Sequence, residues 1–295
     1  MLHHHASPIL GDSVDSSARF YVRAHAGADI AELGGTLRGP KCEFARTLPA
    51  EYSLRQATVE SNRLNLAEVL VTDPCYWTPS LPYLYELQLT VTKRSGETFL
   101  HTEEIGLRRW SANGRNLILE RRRIVLRGLH ISNVSVEQLQ EARAADSALL
   151  VAHPGDHLCA EASRLGVMLL AVLTDVGDAL ADELARFSWF PAVMMVLVSG
   201  AQVKSLVRSP SNLIAQIVAG DMLSDTVANS SVDAIAVEIA AGESPPTMVA
   251  SVRKPVIAIR TGTAYAEMLA ARAVCDRLQA ELSPEFDLAG YFVTP

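Results

Sequence analysis

The chain has 295 residues, 49% of them hydrophobic and 20% charged, enough for two domains of ordinary globular composition. A formal net charge of −7 argues against a nucleic-acid partner, because phosphate binding needs a basic face. Four scattered cysteines, Cys42, Cys75, Cys159 and Cys275, have neither zinc-ligand spacing nor the look of a disulfide framework, so buried reduced thiols and no cofactor are expected.

From the beginning of the chain, His3, His4 and His5 read as a frayed polar terminus or a tag remnant rather than a metal site. No basic segment followed by an apolar stretch marks a leader, and apolar runs such as 192–198 are too short to span a bilayer. A soluble cytoplasmic protein without a membrane partner is the expectation. Residues 18–24 then alternate, with Phe20 and Val22 on one side. Farther on, Leu87, Leu89 and Val91 alternate with Gln88, Thr90 and Thr92, the period of a strand with one wet face. The stretch 93–97 supplies a turn and 98–101 begins the returning strand. Residues 1–111 therefore read as a small all-β sandwich.

Residues 112–295 change character. Eight apolar runs, at 124–129, 148–152, 167–173, 192–198, 213–218, 234–239, 256–259 and 288–293, suit strands buried on both faces. Helical patterns fall between them at 136–145, 157–165, 179–187, 202–207 and 265–282, with a weaker one at 221–231. The last strong helix carries an apolar stripe of Met268, Leu269, Ala271, Val274, Leu278 and Leu282. The order predicts a compact (β/α)8 barrel, with an open doubly wound sheet as the alternative. Arg127-Gly128-Leu129-His130 lacks the spaced glycines of a nucleotide loop. The basic run Arg121-Arg122-Arg123 reads as a solvated or domain-junction face.

Trp77-Thr78-Pro79-Ser80-Leu81-Pro82-Tyr83-Leu84-Tyr85 resembles the WxPxxPxLY signature of the family 2 glycoside hydrolases, which include β-galactosidases and β-glucuronidases. Ile105-Gly106-Leu107-Arg108 is similar to that family's GxR element, and 124–128 to its first barrel strand, although Glu120 and Arg121 stand where the family has Asn-Gly. His153-Pro154 and the 254–259 stretch also keep the family's order. The resemblance implies an immunoglobulin-like sandwich followed by a (β/α)8 barrel, without a counterpart of the family's N-terminal jelly-roll domain. It also implies an O-glycosyl hydrolase with two glutamates at the C-terminal strand ends, one acid/base and one nucleophile, roughly 5 Å apart.

Those glutamates are absent. By the same resemblance Gly200 and Ala201 take the places of the Asn-Glu pair after the fourth strand, and Arg260 that of the nucleophile after the seventh. No Asp or Glu lies within two residues of Ala201 or Arg260, and a protonated guanidinium offers no lone pair for attack. No catalytic residue is therefore assigned. His130, His153, Glu238 and Arg260 are the candidates for lining a remaining pocket, with Glu238 and Arg260 expected to form a salt bridge. The readings left open are a pseudoenzyme that binds carbohydrate or a small anion or acts as a scaffold, a divergent carbohydrate-active hydrolase, and a structural module with a protein partner.

Overall fold

Alternating burial defines the first half. In the computed structural model, which describes residues 2–25, 27–57, 66–174, 176–203, 211–228, 230–265 and 267–295, seven strands precede residue 106. They are β1 (Ala6–Ser13), β2 (Ser17–Ala24), β3 (Glu32–Lys41), β4 (Ala50–Gln56), β5 (Leu66–Thr72), β6 (Leu84–Thr92) and β7 (Thr98–Ile105). β2 buries Ala18, Phe20, Val22 and Ala24 and turns Arg19 outward. Antiparallel pairing in the order β1-β2-β5-β4-β3-β6-β7 gives one sheet that curls into a sandwich. Its core includes Phe20, Leu33, Leu37, Val71, Leu87 and Leu89.

A small antiparallel sheet follows, β8 (Trp110–Asn113), β9 (Asn116–Leu119) and β10 (Arg122–Ile124). The β9–β10 turn holds Glu120 and Arg121 at φ of 48° and 64°, a left-handed pair that Asn-Gly adopts more easily. Arg109 compensates with two bonds from its guanidinium to the Glu120 carboxylate, at 3.0 and 2.5 Å.

Eight parallel strands then close on themselves: β11 (Leu126–His130), β12 (Ala148–Ala152), β13 (Leu169–Leu173), β14 (Val193–Val198), β15 (Leu213–Ala219), β16 (Ala234–Ile239), β17 (Val256–Arg260) and β18 (Gly290–Val293). Closure is made where β11 pairs with β18, Leu126 opposite Gly290. The closed barrel settles the alternative of an open sheet. Each strand sends alternate side chains inward, so Leu126, Leu150, Leu170, Met195, Leu197, Ile257, Ile259 and Phe292 fill the interior together with Leu117 of β9. The intervening residues, such as Leu149, Val196 and Val237, meet the outer layer. That layer comprises α1 (Val136–Ala144), α2 (Asp156–Leu165), α3 (Leu180–Phe187), α4 (Gly200–Val203), α5 (Asp225–Ala228) and α6 (Met268–Leu282).

α1 is started by a reciprocal cap between Ser135 and Gln138. α6 buries Met268, Ala271, Cys275, Leu278 and Leu282, whereas Leu269 is 69% exposed. The 3–4 spacing runs through Cys275, and Leu269 lies off that face. The helix expected at 202–207 is described only as far as Val203, the remainder lying outside the described residues.

The sandwich and barrel are joined through the residues of the sequence motif. Trp77 is fully buried and its indole N–H donates to the Ser163 carbonyl of α2 at 2.8 Å. Gly106 lets Trp77 and Pro191 approach so closely that an added Cβ would lie 2.7 Å from the proline ring. Gly166 ends α2 at φ 74°, and a Cβ there would sit 2.3 Å from the Pro79 carbonyl. Arg108 crosses to the barrel and donates to the carbonyls of Pro191, Val193 and Ser211 and to Asn212 Oδ1. Desolvation pulls its guanidinium down to about 9, still protonated at neutral pH. Trp110 donates to the Met194 carbonyl at 2.7 Å, and Trp189 to the Ala6 carbonyl at 3.0 Å. Arg121 reaches Asp15 at 3.5 Å and Arg123 binds Asp287, so the basic run does lie on a charged junction face.

Candidate functional site

The C-terminal ends of the strands form the face where barrels of this kind meet their ligands. His130 ends β11 and is half-buried. Its Nδ1 lies 3.4 Å from Thr294 Oγ1, and its carbonyl accepts the Tyr265 hydroxyl at 2.6 Å. Burial lowers the His130 imidazole and pushes the Tyr265 phenol up to about 12, so both are neutral at neutral pH. His153, after β12, is exposed at φ 45° and accepts the Thr174 amide at 3.4 Å through Nε2. The two histidines stand beside different partners, and among the described residues neither holds a carboxylate.

Glu238 and Arg260 do not pair. They lie on neighbouring strands, Glu238 opposite Ile259 and Arg260 opposite Ile239, but alternation sends them to opposite faces. Glu238 shares the parity of Ala234 and Ala236, which face the barrel interior. Arg260 shares that of Val256 and Ala258, which face the helices. Arg260 accordingly makes a two-point ion pair with Glu281 of α6, both bonds 2.8 Å, and donates to the Glu243 carbonyl at 2.8 Å. The Arg260 hydrogen bond, against a smaller effect of burial, holds the Glu281 carboxyl below its ordinary value. This corrects the expectation of a Glu238–Arg260 bridge plugging the pocket.

Gly200 and Ala201 begin α4. Ala201 is exposed, and a Cβ at Gly200 would touch the Gln216 amide at 2.9 Å. Gln202 Oε1 accepts the Ser199 amide at 3.1 Å, so the polar groups of this segment are used in starting the turn. Leu150, Leu197, Ile259 and Phe292 fill the barrel interior. Among the described residues, two cavities lie at the other end, where the sandwich meets the barrel. A cavity of ≈ 330 Å³ there touches Pro8, Arg108, Trp110 and Trp189, and another of ≈ 660 Å³ touches Asp15, Pro79, Arg109 and Glu120.

One cluster is invisible in the sequence. His3, expected to fray, is only 5% exposed in a short 3-10 turn, Leu2–His4, and stacks on Trp189. It meets His101 and Glu103 of β7, 98 and 100 positions away along the chain. The i, i+2 spacing of His101 and Glu103 shows that they share one strand face, but nothing local joins them to His3.

The architecture is thus a β-sandwich followed by a closed eight-stranded parallel barrel, the two joined through the Trp77 motif and Arg108. Residues 5–108 match the family model of the glycosyl hydrolases family 2. A β-galactosidase of Lactococcus lactis subsp. lactis (strain IL1403) is 35% identical over 65 residues, which are 22% of this chain and 6% of that enzyme. The β-glucuronidase of Parabacteroides merdae superposes on 99% of this chain and 47% of its own, with a TM-score of 0.67 and 14% identity. The Bifidobacterium dentium β-glucuronidase, solved with coumarin-3-O-glucuronide, covers 98% of this chain and 60% of its own, with a TM-score of 0.62 and 12% identity. Residues 5–108 are thus similar to the family 2 glycosyl hydrolases, and the fold of the chain is similar to that of these β-glucuronidases. The chain spans less than two thirds of each of these relatives. No helix among the described residues is long and apolar enough to cross a membrane.

Proposed function

We propose that this protein is a non-catalytic relative of the family 2 glycosidases. In this reading an immunoglobulin-like sandwich, residues 1–111, and a compact barrel, residues 112–295, form a carbohydrate-binding or scaffolding unit. The observation that carries the reading is the fate of the two positions where the family resemblance requires glutamates. One is Ala201. The other is Arg260, whose side chain is turned to the helix layer and held by Glu281. A retaining mechanism needs both carboxyl groups on the sugar at once, and neither position supplies one. The ligand class offered for the barrel mouth is a β-linked sugar or its glucuronide, by analogy with the Bifidobacterium dentium β-glucuronidase complex.

A second reading rests on Glu238, which has interior parity near the end of β16, in a barrel whose strands β11 and β12, farther round, lead into neutral His130 and exposed His153. It would make the protein a divergent carbohydrate-active hydrolase. Hydrolysis of a panel of aryl β-galactosides and β-glucuronides by the native chain, with Glu238→Ala as control, separates the two. Silence from both proteins supports the non-catalytic reading. Turnover that disappears in Glu238→Ala overturns it and places new chemistry at the mouth.

A further inference from the structure

His101 and Glu103 project from the same face of β7, and the Leu2–His4 turn lays His3 over them. His3 Nε2 lies 2.7 Å from Glu103 Oε2, and His101 Nε2 lies 3.6 Å from the same oxygen. The second distance is too long for a hydrogen bond. His101 Nε2 and His3 Nδ1 are buried nitrogens without a hydrogen-bond partner among the described residues. One donor atom from each of the three residues falls within 4.8 Å of the others, where a tetrahedral zinc site sets its donors about 3.3 Å apart at the usual bond lengths near 2.0 Å. Aromatic rings wall the cluster, with Trp189 stacked on His3 at 5.1 Å and edge-on to His101 at 5.9 Å.

The surroundings are those of a metal site rather than of a simple ion pair. The Glu103 carboxylate stands between the two imidazoles, 2.7 Å from His3 Nε2 and 3.6 Å from His101 Nε2. His3 Nδ1 faces the Asp156 carboxylate at 3.6 Å, and Asp156 is fixed in turn by Arg186 at 2.5 Å. At 3.6 Å this is not a hydrogen bond, and closing the gap would orient the ring and strengthen it as a donor, as a carboxylate behind a ligating histidine does. His101 also borders a cavity of ≈ 430 Å³ with Leu2, His5 and Asp29 on its walls, which gives an ion an entry path and room for a fourth donor.

We infer that His3, His101 and Glu103 bind a divalent transition-metal ion, Zn²⁺ by the chemistry of two imidazoles and a carboxylate, and that the ion clamps the N-terminal turn to β7 beside the barrel. The clamp is independent of what happens at the barrel mouth. The test strips the full chain with a chelator and titrates it with zinc chloride by calorimetry, with Co²⁺ absorption reporting the geometry. The expected result is one ion per chain, a melting temperature that rises with zinc, and tetrahedral-type cobalt bands. His101→Asn and Glu103→Gln should each abolish this, and Asp156→Asn should weaken it by about 10–100-fold. His4→Ala should bind as the native chain does. Melting of each stripped variant shows that it is folded, and a variant that is not folded is replaced by Glu103→Ala. Absence of binding, or binding that survives His101→Asn and Glu103→Gln, or binding lost only with His4→Ala, overturns the inference.

Discussion

Replacing Arg108 by methionine keeps an unbranched side chain of similar length but withdraws the guanidinium from the Pro191, Val193 and Ser211 carbonyls and Asn212 Oδ1. Each buried acceptor left without a donor costs about 1–3 kcal/mol. Two effects lower the total. Arg108 borders the ≈ 330 Å³ cavity, so water can reach part of the vacated space. Methionine also removes the cost of keeping a cation partly out of water. The net loss is therefore about 2–4 kcal/mol, a large share of the about 5–15 kcal/mol that holds a domain together. Urea denaturation followed by tryptophan fluorescence is the assay. All three tryptophans, Trp77, Trp110 and Trp189, donate their indole N–H at or across the junction, so their emission reports it directly. The variant should lose its native emission at lower urea, ahead of the far-ultraviolet dichroism. A change smaller than about 1 kcal/mol would refute the reasoning and mean that apolar packing alone holds the two halves together.

Other outcomes follow from single positions. Gly166→Ala, at φ 74° against the Pro79 carbonyl, should cost at least about 2 kcal/mol, read by thermal melting. Arg121→Gly, which relieves a left-handed φ of 64°, should raise stability by about 1 kcal/mol. The His130 imidazole is lowered by burial, so its neutral form contributes stability that is complete above the ordinary histidine value of about 6.5 and is lost as pH falls through the lower folded value. His130→Asn should flatten that acid-side decline in melting temperature. Installing both family carboxylates with Ala201→Glu and Arg260→Glu should yield no hydrolysis of aryl β-glycosides, because residue 260 faces Glu281 and the helices. Activity in that double variant would show that a side chain at 260 reaches the mouth.

The barrel was readable because parallel strands buried on both faces are nearly unbroken apolar runs. Residues 148–152 and 234–239 coincide with β12 and β16 end for end. Where two elements abut, the run misleads: Ile124 belongs to the small sheet and β11 begins at Leu126. The site was less legible than the fold. Sequence position brought Glu238 and Arg260 to the ends of adjacent strands, but which face each leaves from depends on register, and one residue of difference in parity puts Arg260 among the helices. The His3 cluster had no local signal, since its members meet only after the sandwich has curled and the barrel has packed against it. The Trp77 and Arg108 motifs were recognisable as patterns, while their acceptors, at Ser163 and at residues 191–212, lie far downstream.

That last separation bears on the order of synthesis. When Arg108 leaves the ribosome, its acceptors are up to 104 residues from being made, and the partner of Trp77 is 86 residues away. A nascent sandwich thus carries an exposed indole and an unsatisfied guanidinium until most of the barrel has emerged. The same holds for a fragment cut just after Arg108, which would present that face to any passing chain.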